Sequence, residues 1–139
     1  MLSSGLPEQV GDDERIARVL TSSGHYSTEK RRAKPSALLP DANGKKSVLR
    51  VSGLDEAAIQ QLAIAHVTGR RHGATTFIAS DARQEGLEID PSEPPPRHAD
   101  LVRWPDGRGD TELKKARQKE VALSIISKQV EFYHWNPPV

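Results

Sequence analysis

Apolar residues recur in this chain at two spacings, every third or fourth position in long runs and every second position in short ones. The clearest long run is Ile59, Leu62, Ala63, His66 and Val67, at i, i+3, i+4, i+7 and i+8. That spacing predicts a helix over 54–68 with one buried stripe, and it places His66 in the core. Ser52 and Asp55 have capping-box spacing at its start, with Asp in place of the usual Glu or Gln. Gly69 stops it, and Arg70 and Arg71 suit the negative end of its dipole. A second helix is expected over 111–128, capped by Asp110. Its first half is charged, and Ala116, Leu123, Ile126 and Val130 fall in rough register. A short third helix, capped by Asp12 or Asp13, would bury Ile16, Val19 and Leu20.

The period-two runs predict strands at 47–51 (SVLRV), 74–80 (ATTFIAS), 87–90 (LEID), 98–104 and 130–135 (VEFYHW). A short strand is also expected at 36–40, joined to the 47–51 strand by a hairpin through Asn43-Gly44. Residues 21–28 and 81–86 read as polar loops. Pro94, Pro95 and Pro96 stiffen the approach to the 98–104 strand as extended polyproline II, and Pro105-Asp106-Gly107 ends that strand in turn chemistry. Only one strand–helix–strand unit (47–80) is present, which disfavours a doubly wound fold. The order of elements predicts the α+β class: a mixed or antiparallel sheet of four to six strands with two main helices packed on one face. Residues 1–11 are expected to form a disordered leader, and 12–139 a single α+β domain.

Composition narrows the function classes. The chain has 139 residues, 28% charged and 35% hydrophobic, within reach of one folded core. Its formal charge of +1 argues against a whole-surface nucleic-acid field but leaves local basic patches open. Without cysteine there are no disulfides, thiol catalysis or thiolate metal sites, which fits a reducing cytoplasm. No apolar run reaches transmembrane length, and residues 1–10 lack the basic and apolar regions of a secretion signal.

The blocks KPSALLP (34–40), SVLRVSGL (47–54), RHADLVRWP (97–105) and LKKARQKEVA (113–122) resemble those of a family of small uncharacterised bacterial proteins of about this length. There the blocks recur in this order, with a His-Ala pair before a short strand and a Trp-Pro end. The resemblance covers about Asp13 to Trp135. It implies a fold unit and an order of blocks; no activity is assigned to the family, so no residue role is implied.

The candidate chemistry is therefore weighed residue by residue. His98, with Arg97 and Asp100 beside it, could form an acid/base pair in which the carboxylate orients the ring and the arginine holds an anion. In a strand, residues 98 and 100 share a face about 7 Å apart, too far for a direct bond, so the plainer role is a strand-entrance histidine bonded to backbone. Arg50 lies in the middle of an apolar strand. Pointing inward, it needs an anionic partner, either Asp100 or a ligand. His25, with Tyr26, precedes Lys30, Arg31, Arg32 and Lys34, a cluster that could bind phosphate or nucleic acid or simply form a solvated face. Aromatics at 4% leave few stacking platforms for single strands. His66 and His72, six apart and separated by Gly69, match no metal-ligand spacing. Neither a metal nor a cofactor is implied by any motif, and there is no phosphate-binding glycine loop, H-E-x-x-H or G-x-S-x-G.

Three functions from different classes follow. The first is a non-catalytic interaction module that docks a partner protein or a second copy through an exposed aromatic end (Phe132, Tyr133, Trp135). The second is a small hydrolase or nuclease-like enzyme using His98, Asp100, Arg50 and His25. The third is nucleic-acid binding through residues 30–34 with Arg70 and Arg71. The lack of catalytic motifs favours the first.

Overall fold

The computed structural model describes residues 2–139. Six strands form one antiparallel sheet: β1 (Arg15–Leu20), β4 (Lys46–Arg50), β5 (Gly73–Ile78), β6 (Glu88–Pro91), β7 (His98–Val102) and β8 (Glu131–His134), in the order β6-β7-β4-β1-β5-β8. A small hairpin pairs β2 (Tyr26–Ser27) with β3 (Arg32–Ala33). The helices are α1 (Glu56–His66), α2 (Ala79–Gln84) and α3 (Thr111–Ser127). The α+β class and the antiparallel sheet of six strands are as the sequence predicts. So is the Asp110 cap of α3, whose side chain accepts from the Leu113 N–H at 3.0 Å.

The two main helices do not share a face. Val48, Phe77, Ile16, Leu20, Ala99 and Leu101 pack with Ala122, Ile125 and Ile126 of α3 and with Ala79 and Ala82 of α2. Ala17, Val19, Leu49, Val51 and Ala74 pack with Ile59 and Ala63 of α1 and with Trp135. The inner strands carry apolar residues at consecutive positions, so both faces must be covered. The same double burial explains why the run at 16–20 is a strand and not the expected helix. β1 is central, and Ile16, Ala17, Val19 and Leu20 are all buried. A strand buried on both sides loses its alternation, and the residual spacing imitates a helix.

Other expectations shift locally. Residues 36–40 form no strand; Pro35–Ala37 is a single 3-10 turn, and the hairpin lies at β2–β3. Residues 79–84, expected as the end of the 74–80 strand and the start of a polar loop, form α2, too short to show a period. Asp55 caps α1, accepting from the Ala58 N–H at 2.9 Å. Where a frayed leader was expected, residues 2–11 are tied down. Val10 is buried in the α3-side core. Arg83 Nη2 donates to the Val10 carbonyl at 2.6 Å, and Ser4 Oγ donates to Glu93 at 2.6 Å.

Candidate functional site

The candidate catalytic residues are dispersed. Arg50 points to the α3 side and is fully buried. Its partner is Glu14, not Asp100: Nε and Nη2 donate to the two carboxylate oxygens at 2.8 and 2.7 Å, and Nη1 donates to the Pro7 carbonyl at 2.7 Å. Burial pushes the Glu14 carboxyl up, but the Arg50 fork, the Gly11 N–H and the charge of Arg83 outweigh it and hold it below its usual range. His98 and Asp100 project from the opposite face. Arg97 is used by the backbone: its N–H donates to Glu93 at 3.0 Å and its Nη1 to the Arg50 carbonyl at 3.0 Å. His25, half-buried, lies near Arg18, Lys46 and His72; burial first, then those three cationic or basic neighbours, lower its pKa. Its Nδ1 is buried without a hydrogen-bond partner. His25, Arg50 and His98 therefore share no pocket. The aromatic end is not exposed either: Phe132 and Trp135 are 8% and 5% accessible, in the two separate cores.

The basic cluster does border a concavity. Strand alternation turns Ala33 inward and leaves Arg32 and Lys34 facing out together. A trough of about 690 Å³ separates this hairpin from the C-terminal half of α3. Lys30, Arg32 and Lys34 line it with Glu29, and Tyr26, Ala33, Pro35, Leu123 and Ile126 supply apolar surface. Leu123 is 52% exposed there. Arg31 leaves the trough. It takes a left-handed backbone (φ 52) at the hairpin turn, and its guanidinium stands 5.5 Å over the Phe132 ring. Gln129 fixes the trough's width: its Oε1 accepts from the Ala33 N–H at 3.0 Å and from Thr75 Oγ1 at 2.8 Å, and its Nε2 donates to the Arg31 carbonyl at 3.1 Å. Nothing in the sequence pattern marked Gln129, because its partners are 54 to 98 residues away.

A second concavity, of about 310 Å³, opens on the α1 side. Pairing between β1 and β4 is limited to Ile16–Arg50 and Ala17–Leu49. Beyond it, Arg18 spans the gap, donating from Nε to the Ala37 carbonyl at 3.0 Å and from Nη1 to the Ser47 carbonyl at 3.1 Å. The cleft's floor is Ala17, Val19 and Leu49, and its walls include His98 and, from the end of α1, His66. His66 is half-buried at this wall, not in the core as its spacing predicts. His98 Nδ1 lies 2.8 Å from Ser92 Oγ and 3.2 Å from the Ser92 carbonyl. A carbonyl only accepts, so Nδ1 carries the proton and Nε2 is the free nitrogen. His72 is elsewhere, its Nδ1 3.0 Å from the Tyr26 hydroxyl.

Among the described residues, no group of three or more His, Cys, Asp or Glu could hold a metal ion, and no helix is long and apolar enough to cross a membrane. Against known proteins, the chain matches no protein-family model, no curated sequence and no solved structure.

Proposed function

We propose that this chain is a non-catalytic interaction module that holds an extended acidic segment of a partner protein in the trough between the β2–β3 hairpin and α3. The observation that carries this reading is the make-up of the trough: three cations to one carboxylate on its walls, above apolar surface that includes the exposed Leu123. Lys119 stands four residues before Leu123 on the same helix stripe and extends the cationic rim. An occupant of complementary chemistry has acidic side chains toward the hairpin and apolar ones toward α3, as alternate residues of an extended chain provide. A single nucleic-acid strand fits less well. Tyr26 is the one aromatic ring lining the trough, it is half-buried, and stacking supplies much of single-strand affinity. The dispersal of His25, Arg50 and His98 speaks against the hydrolase alternative. A cysteine-free chain also suits work in a reducing cytoplasm.

Fluorescence anisotropy with a labelled peptide of alternating Glu and Leu tests this. About eight residues in extended form span the ~13 Å of the C-terminal half of α3 with overhang at both ends. The expected result is saturable binding that weakens with salt. It should fall about tenfold or more in the Lys30→Glu/Arg32→Glu/Lys34→Glu variant and also in Leu123→Ser. Tighter binding of an oligothymidylate of similar length, indifferent to Leu123→Ser, would transfer the trough to nucleic acid. No saturable binding of either probe, or self-association that the charge reversals leave intact, would remove it as the docking site.

A further inference from the structure

We propose that the N-terminal half of α3 is a second anchoring site for the acidic segment held in the trough, so that this segment runs the full length of the helix. The proposal rests on the trough reading above and extends it. The central observation is a stretch of helix that nothing covers. Of residues 111–120 only Gln118 is half-buried and the rest are exposed; full burial begins at Ala122. About 15 Å of helix therefore stands clear of the core. Helices are normally held by a buried apolar face; this arm is held by local devices instead. Asp110 caps it, and Gln118 Nε2 donates to the Pro105 carbonyl at 2.9 Å. Gly107, at φ 71, lies so close to the first turn that a Cβ there would stand 2.7 Å from the Lys114 nitrogen. The arm is fixed in place before a partner arrives, which lowers the ordering cost of binding.

Charge identifies what the arm meets. It carries Lys114, Lys115, Arg117 and Lys119 against Glu112 and Glu120. None of the four cations makes an ion pair among the described residues. Lys114, at the end of the first turn, stands near the positive end of the helix dipole, so helix stability does not account for it. Lys114 and Lys115 line a hollow of about 270 Å³ between the arm and the 40–44 loop, with Thr111, Pro40, Ala42 and Asp41. Asp41, the one carboxylate of this lining, is already answered by Lys46 at 3.3 Å. The hollow repeats the trough on a smaller scale, with cations beside apolar surface. Lys115, Lys119 and Leu123 stand four residues apart on one helix stripe. Lys115 lines the hollow and Leu123 lines the trough. The ~12 Å of helix between them is covered by about four residues of extended chain. An acidic segment leaving the trough therefore meets Lys119 and then the hollow, where its carboxylates find cations without internal partners.

The test compares two labelled peptides of alternating Glu and Leu on the full chain by fluorescence anisotropy. One of about eight residues, centred on the trough, ends at the rim of the hollow; one of about fourteen covers both. The longer peptide should bind about tenfold tighter. Lys114→Glu/Lys115→Glu should remove that gain and leave the shorter peptide within about twofold of its wild-type affinity. Arg108→Glu/Arg117→Glu makes the same charge change outside the hollow's lining and should keep most of the gain. All four side chains are exposed, so both variants should fold, and unchanged thermal melts check this. If the shorter peptide binds but the longer one gains nothing, or if the two double variants lose the gain equally, the second anchor is overturned while the trough reading stands. Binding of neither peptide would remove both. A DNA duplex that binds tighter than the longer peptide and loses affinity in Lys114→Glu/Lys115→Glu would assign the arm to nucleic acid and overturn the proposal.

Discussion

The two faces of the sheet handle polar residues differently. On the α3 side a 17-residue helix, α2 and the N-terminal segment close over the strands, and Arg50 is sealed beneath them. There the charge is answered inside the protein, by the two-pronged Glu14 contact and the Pro7 carbonyl. On the α1 side an 11-residue helix buries only Ile59 and Ala63, and β7 keeps His98, Asp100 and Val102 partly open. There the polar side chains are held in position but left with unused bonding capacity. Burial forces polar groups to pair internally; incomplete cover leaves them for solvent or a ligand.

The sharpest way to break this comparison is to remove the internal answer. Glu14→Ala would leave the Arg50 charge buried with one carbonyl for company. Losing one partner of a buried pair costs on the order of 3–5 kcal/mol, read as a lower urea midpoint. The double variant Glu14→Ala/Arg50→Met should recover most of the loss, because the uncompensated charge goes with the arginine. A single-variant cost below about 1 kcal/mol would mean that water reaches the pair and the α3 face is not sealed.

Core truncations sharpen the comparison next. Ile125→Ala on the closed face leaves a hole in the α3-side core, and should lie toward the top of the usual range of about 2–5 kcal/mol. Leu49→Ala on the cleft floor opens onto space that water already reaches, so its cost should lie toward the bottom of that range. Equal urea midpoints for the two variants would erase the distinction between the faces.

These contrasts also explain what the sequence could disclose. α1, α3 and the outer strands were legible because each buries one side only, so its period survives in the residues; β4 and β5, buried on both faces, were legible through their β-branched and aromatic residues. β1 was not, because Ile16, Ala17, Val19 and Leu20 are all buried and Arg18 interrupts them. Arg50 was rightly singled out as a charge in an apolar strand. Its partner Glu14 was not legible, since it is reached through sheet pairing 36 residues away. The basic run at 30–34 was visible, but the trough it borders depends on Gln129, for which no local pattern exists. The cleft was invisible for a similar reason: it exists because β1 and β4 part after two residue pairs.

A smaller effect is expected at His98. Ala in its place leaves the Ser92 carbonyl and hydroxyl without the ring N–H. Ser92 is half-buried, so water can replace part of the contact, and the cost should be about 1 kcal/mol, the low end for an unpaired polar group. His98→Asn should recover part of it by offering an amide N–H. Thermal melts of both variants check this. An Ala variant as stable as wild type would show that the ring contributes nothing structural and serves the cleft alone.

The smallest expected effect concerns the clasp at the entrance to β7. Glu93 accepts from Ser3 Oγ at 3.0 Å, Ser4 N–H at 2.9 Å, Ser4 Oγ at 2.6 Å and Arg97 N–H at 3.0 Å. Burial pushes its carboxyl up, but these four donors outweigh it and bring it from 4.5 down to about 2. The folded state therefore prefers the ionised form more than the unfolded chain does. The stabilisation is complete above pH 4.5, where both states are ionised. It fades as pH falls toward about 2, because the unfolded chain takes up its proton first. Glu93 is partly exposed, so solvent screening keeps the total modest. Melting temperatures of wild type and Glu93→Gln should differ by a constant amount above pH 5 and converge near pH 2. A gap that stays constant down to pH 2 would mean that the Ser3–Ser4 clasp does not hold the carboxylate in solution. The N-terminal segment would still contribute to the closed face through Val10 and Pro7.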